Sequence, residues 1–155
     1  GREAVKNHNR ATSGSHSRHL YFQRALETDS GKTLVKVSLE LGSAYWDSYI
    51  EHMELRPWAI TFLKEAQERS LKVIILTNQE TSLQLRKLAH LGIEGYIDYL
   101  VTSEEAGAEK PNSNIFRLAL EKVGLGADDV VMVGDDPKED GEGAENMGIP
   151  FILCG

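Results

Sequence analysis

Apolar and polar positions along this chain follow two regimes. Up to about residue 69 the apolar residues recur at helical spacing; beyond it short apolar runs alternate with helical stretches. Residues 1–14 are polar and without periodicity, and read as a mobile or extended lead-in. From Ser15, Leu20, Tyr21, Ala25 and Leu26 give a modest apolar face that stops near Thr28-Asp29-Ser30-Gly31. A second helix is expected from about Lys32 to His52. Its Leu34, Val35, Val37, Leu41, Ala44, Tyr45, Tyr49 and Ile50 wrap much of the cylinder, which predicts burial against the first helix and something else. The pair reads as a helical hairpin, useful as a lid.

Pro57 suits the first turn of a third helix, carrying Trp58, Ile60, Leu63 and Ala66 as far as Arg69. Strands are then expected at Leu71–Leu76, Tyr96–Val101, Val130–Val133 and Pro150–Leu153. Between them lie a helix capped by Thr81 and ended by Gly92, one opened by Pro111-Asn112-Ser113 and stopped by Gly124, and one from Gly141 to Met147. Strands alternating with helices of this length imply an α/β fold with a parallel sheet and right-handed crossovers. Val130–Val133, mostly β-branched and bounded by glycine, reads as a strand buried on both faces.

Composition narrows the function classes. The 155 residues suit one domain, and 17 Lys and Arg against 24 Asp and Glu give a net charge of −7, which disfavours nucleic acid or an anionic membrane as partner. Residues 1–24 run against that trend, with Arg2, Lys6, Arg10, Arg18 and Arg24 facing Glu3 alone; a solvated helix face, or one that draws in an anionic substrate, fits better than the alternative of a basic arm for nucleic acid. The single cysteine, Cys154, excludes an intramolecular disulfide framework and fits a reducing compartment. With no apolar run near the roughly 20 residues a bilayer span needs, a cytoplasmic protein is expected.

Candidate chemistry gathers at three expected strand ends. Ile75-Leu76-Thr77-Asn78 brings a hydroxyl and an exposed backbone amide to the sheet's carboxyl edge, Glu109-Lys110-Pro111 brings a cation held by a stiff neighbour, and Gly134-Asp135-Asp136 with Asp140 brings carboxylates. Open α/β sheets place ligands at this edge. Clustered carboxylates repel one another unless they hold a cation, and hard oxygen donors suit Mg²⁺; capping by Asp136 or Asp140 is the simpler alternative. Donors, an ammonium and a dication at one edge are what a phosphoryl group needs. His16 and His19, at helical spacing without a third ligand, read as surface histidines.

Leu76-Thr77-Asn78, Ser103-Glu104-Glu105-Ala106-Gly107-Ala108-Glu109-Lys110-Pro111-Asn112 leading into Ile115-Phe116, and Val133-Gly134-Asp135-Asp136 with Asp140 resemble motifs II, III and IV of the haloacid dehalogenase (HAD) superfamily. The resemblance covers residues 55–155, and the hairpin before it is similar to the helical cap of one branch. It implies a three-layer Rossmann-like core at 55–155, a helical cap segment at 1–54, and a Mg²⁺-dependent phosphomonoesterase working on a small phosphorylated metabolite through an aspartyl-phosphate. By the same resemblance Thr77 and the Asn78 amide would bind phosphoryl oxygens, and Lys110 would steady the nucleophile and the phosphoryl charge. Asp135 would ligate the metal, supported by Asp140, with Asp136 an outer partner. Arg18, His19, Tyr21, Arg24, Tyr45 and Trp46 are cap candidates for reading a leaving group.

The family's motif I, an apolar strand ending in Asp-x-Asp-Gly-Thr that supplies the nucleophile, has no counterpart here. Asp29-Ser30-Gly31-Lys32-Thr33 is the near match, but it follows a helical pattern and has Ser30 where the second Asp belongs. That strand would lie mid-sheet, between Leu71–Leu76 and Val130–Val133, so two apolar edges are expected to face each other across a gap. The expectation is a chain completed by an N-terminal βα segment of very roughly 30 residues or more, or by a second chain. A non-catalytic binding or scaffolding protein is the main competing reading. A receiver-like switch fits less well, because there the acidic pair precedes the lysine.

Overall fold

The computed structural model describes residues 2–8 and 12–154. Helices α1 (Arg2–His8), α2 (Arg18–Ser30), α3 (Val35–Glu51) and α4 (Pro57–Glu68) come first. Then follow β1 (Ile74–Thr77), α5 (Thr81–Leu91), β2 (Tyr99–Thr102), the single turn α6 (Ser103–Ala106), α7 (Ser113–Val123), β3 (Met132–Gly134), α8 (Gly143–Glu145) and β4 (Phe151–Leu153). The polar lead-in is corrected in part: residues 2–8 are helical because Val5, 2% exposed, anchors them. Residues 1 and 9–11 of that segment lie outside the described residues.

Side chains alternate between two cores along the strands, as the period of two demands. Ile74, Leu76 and Val101 join Ile115, Phe116, Ala119 and Ala144 on one side, whereas Val73, Ile75 and Leu100 join Leu63, Leu88 and Ile93 on the other. Helices α7 and α8 therefore cover one face and α4 and α5 the opposite one, which makes three layers. A third, smaller cluster of Trp46, Ile50 and Leu83 fastens α3 to α5.

Both sheets are parallel, as expected, but they are two pairs rather than one layer. β1 pairs with β2, Ile74 opposite Tyr99 and Thr77 opposite Thr102, and β3 pairs with β4, Met132 opposite Phe151. Among the described residues β1 and β3 share no ladder. Between them runs a trough made of two adjoining cavities of about 320 and 400 Å³, with Leu76 and Met132 lining both. The expectation of a strand buried on both faces is corrected here, since Val131 is 52% exposed and faces the first of these cavities.

Element boundaries moved where turns cut into apolar runs. Glu94–Tyr96 is a 3-10 turn, so β2 begins at Tyr99 and not at Tyr96. The expected helix 141–147 is replaced by a wide π-type turn over Pro137–Glu142 running into α8. Helix α3 buries Ser38, Gly42, Trp46 and Ile50 alone, leaving Val35 71% and Leu39 60% exposed. Its wrap-around apolar pattern overstated its burial because, among the described elements, α2 and α5 are its main partners.

Candidate active site

Lys110 is held from four directions. Asn78, at the carboxyl end of β1, accepts the Lys110 backbone N–H at 2.7 Å and donates its own amide to the Lys110 carbonyl at 3.2 Å. The ammonium donates to the Leu76 carbonyl at 3.1 Å and to Asp140 Oδ1 at 2.6 Å. Its residual exposure is small, 11% for the Lys110 side chain and 5% for Asp140, so the pair sits largely out of water. The other carboxylate oxygen of Asp140 accepts the Asp136 N–H at 3.1 Å.

The turn that delivers Asp140 depends on two short-range devices. Asp136 Oδ1 accepts the backbone N–H groups of Lys138 and Glu139 at 2.8 and 2.9 Å, and these bonds hold its carboxyl below the usual range. Gly134 lies directly against the Asp140 carboxylate, where a Cβ would collide with it. Gly143 likewise leaves room for the Phe116 ring, locking the turn to the main core.

The three strand-end features thus converge. Lys110, Asp135 and Asp140 line the second cavity with Leu76 and Gly134, and Thr77 follows Leu76 directly at the end of β1. Asp135 is exposed. Asp136 takes the capping role weighed above, and Asn78 works through its side chain as a brace for Lys110. Thr81, expected as a cap, instead opens α5 with its N–H bonded to Glu104 at 2.7 Å. Tyr45 and Trp46 of the cap candidates pack edge-on, and His19 fills the space left by Gly42.

Two acidic residues escaped the sequence reading. Glu139 accepts the second amide hydrogen of Asn78 at 3.0 Å, and its carboxyl is pushed up by burial and by Asp136 and Asp140. Glu109, 8% exposed, accepts the Ser15 hydroxyl at 2.6 Å and lies 3.4 Å from His16 Nε2, tying the segment before α2 to the residue before Lys110. Burial, then Glu139, raises the Glu109 carboxyl, while burial, then Lys6 and Arg18, lowers His16. Both shifts favour neutral forms, so this contact is polar and not a strong ion pair.

A stability consequence follows for Glu109. A carboxyl raised on folding binds its proton more tightly in the folded chain, so its contribution falls as pH rises from the unfolded value, near 4.3, through the folded one. Glu109→Gln keeps an acceptor for Ser15 and removes the titration. The variant should gain on the parent between pH 4 and pH 7, read as the difference in urea midpoints; a constant difference would refute the assignment.

Metal ligation is limited by what this chain offers. Among the described residues no three His, Cys, Asp or Glu side chains cluster as a ready ligand set. Mg²⁺, however, commonly takes one or two carboxylates with waters and substrate oxygens, and Asp135 and Asp140 on one cavity match that donor chemistry.

The haloacid dehalogenase-like hydrolase model matches residues 4–148. The chain is 44% identical over 153 residues to a ribulose-1,5-bisphosphate 5-phosphatase of Halopiger xanaduensis, covering 99% of this chain and 64% of that protein. It is 34% identical over 135 residues to a phosphoserine phosphatase of Thermus thermophilus, covering 87% of this chain and 53% of the relative. It therefore spans between half and two-thirds of their lengths. Among solved structures, the putative HAD-hydrolase YfnB of Bacillus subtilis superposes with a TM-score of 0.74 at 19% identity, over 98% of this chain and 68% of that one, a likeness of fold. With the family model spanning residues 4–148 and a relative 44% identical over 99% of this chain, this chain belongs to the haloacid dehalogenase-like hydrolases.

Proposed function

We propose that this chain carries most of the active site of a Mg²⁺-dependent phosphomonoesterase acting on a small phosphorylated metabolite in the cytoplasm. The attacking Asp belongs to a strand that enters the trough between β1 and β3, and forms an aspartyl-phosphate that water then hydrolyses. The observation that supports this best is the buried Lys110–Asp140 pair at the end of that trough, with Asp135 beside it. Lys110 offsets the phosphoryl charge, and Thr77 with the Asn78 N–H binds its oxygens. Asp135 and Asp140 would hold Mg²⁺, which supplies charge neutralisation when bound; Asp136 shapes the turn behind them. Residues 1–54 act as a cap over the core at 55–155. The matched relatives are named for phosphatase activities on small substrates, which agrees with this chemistry. No helix among the described residues is long and apolar enough to cross a membrane.

Calorimetry with inorganic phosphate and orthovanadate tests the site without turnover. Binding should require Mg²⁺ and weaken about tenfold or more in Asp135→Ala, equivalent to ~1.4 kcal/mol. A scaffold that kept only the fold would bind neither anion, and Asp135→Ala would then be silent.

A further inference from the structure

Where α2 and α3 meet α5, Arg18 and Lys87 come together, and among the described residues no carboxylate pairs with them. Arg18, at the start of α2, sets its guanidinium carbon 4.9 Å from the Tyr21 ring centre, 5.1 Å from Tyr45 and 5.3 Å from Trp46. Lys87, on α5 of the core, sets its ammonium 5.0 Å from Trp46 and 5.5 Å from Tyr49. One indole, 5% exposed, is thus shared by a cation from each part of the molecule. Among the described residues neither cation lies within ion-pair distance of a carboxylate. Both are half-buried.

Two like charges held together and partly desolvated are costly, and ring faces offset only part of that cost. Burial, then Arg18, accordingly holds Lys87 below its usual range. Two successive contacts link the cluster to the residue before Lys110. Arg18 donates to the His16 carbonyl at 3.1 Å, and His16 touches Glu109, the neighbour of Lys110.

We propose that Arg18 and Lys87, seated on Trp46, form a second anion subsite that holds a further negative group of the substrate while its scissile phosphate lies at Lys110 and Asp135. The substrate class is then a small sugar or acid bearing a second phosphate or a carboxylate. This rests on the phosphatase reading above. The plainer role, cation–π packing between cap and core, predicts no ligand preference at all.

The test is calorimetry on the 155-residue chain with Mg²⁺, using fructose 1,6-bisphosphate, fructose 6-phosphate and 3-phosphoglycerate as probes. The bisphosphate should bind about tenfold or more tightly than the monophosphate. Lys87→Gln should erase that advantage without changing monophosphate affinity, and Lys87→Arg should restore it. Phosphoglycerate matching the bisphosphate assigns the subsite to anions in general; matching the monophosphate assigns it to phosphate. Either result upholds it. Equal binding of bisphosphate and monophosphate, with Asp135→Ala weakening both, overturns the subsite alone. Failure of every probe to bind overturns the phosphatase reading and the subsite with it. Should Lys87→Gln not fold, seen as a lost thermal transition, the probe comparison on the parent chain still decides.

Discussion

Supplied with a segment that contributes an apolar strand ending in Asp, the 155-residue chain is expected to hydrolyse a general phosphate ester such as p-nitrophenyl phosphate; without it, turnover should stay at background. The trough between β1 and β3 is bounded by one strand edge on each side, lined by Leu76 and Met132, and opens at Lys110 and Asp135. A strand entering there would pair both edges at the ~4.8 Å spacing of a sheet and deliver its last residue to the rim. Of the three aspartates on the turn after β3, Asp135, Asp136 and Asp140, two are already engaged. Asp140, 3% exposed, is committed to Lys110 and to the Asp136 N–H, and Asp136 to its own turn. Removing a nucleophile from a covalent hydrolase costs up to about 10⁶-fold in kcat, so the contrast should be close to all or none. Its thermal midpoint should rise with the same addition, because buried apolar area and satisfied backbone groups both increase. Turnover by the chain alone, surviving Lys110→Ala, would sink the proposal.

Some of this architecture was open to a sequence reading because local chemistry and tertiary packing agree. Gly92 and Gly124 end α5 and α7 at φ values of 63° and 70°, where their lack of Cβ is needed, and Pro57 opens α4. Where the two disagree, the reading slipped. Leu71 prolongs an apolar run but sits 59% exposed before β1, and residues 2–8 lack helical periodicity yet fold against their neighbours through Val5. The same division holds at the site. Lys110, Asp135 and Asp140 stand out because acids and a lysine beside strand ends signal charge chemistry. Glu139 and Glu109 do not, since each owes its place to long-range contacts, Glu139 with Asn78 and Glu109 with Ser15 and His16. Lys87 reads as the solvated face of α5 until Trp46 of α3 packs against it.

Lys110→Ala should cost the fold as well as the chemistry, by about 3–5 kcal/mol. The ammonium is the principal partner of Asp140, and its removal leaves a buried carboxylate with only the Asp136 N–H at 3.1 Å. It also frees the Leu76 carbonyl at the β1 edge. At roughly 2–4 °C per kcal/mol for a chain of this size, the midpoint should drop by roughly 6–20 °C. The double variant Lys110→Met with Asp140→Leu separates the two contributions. Removing both charges together is commonly neutral or stabilising, so most of the midpoint should return while phosphate binding stays lost. If the single variant instead unfolds within about 1 kcal/mol of the parent, as an exposed pair would, Asp140 is solvated and the buried bridge is not what organises this rim.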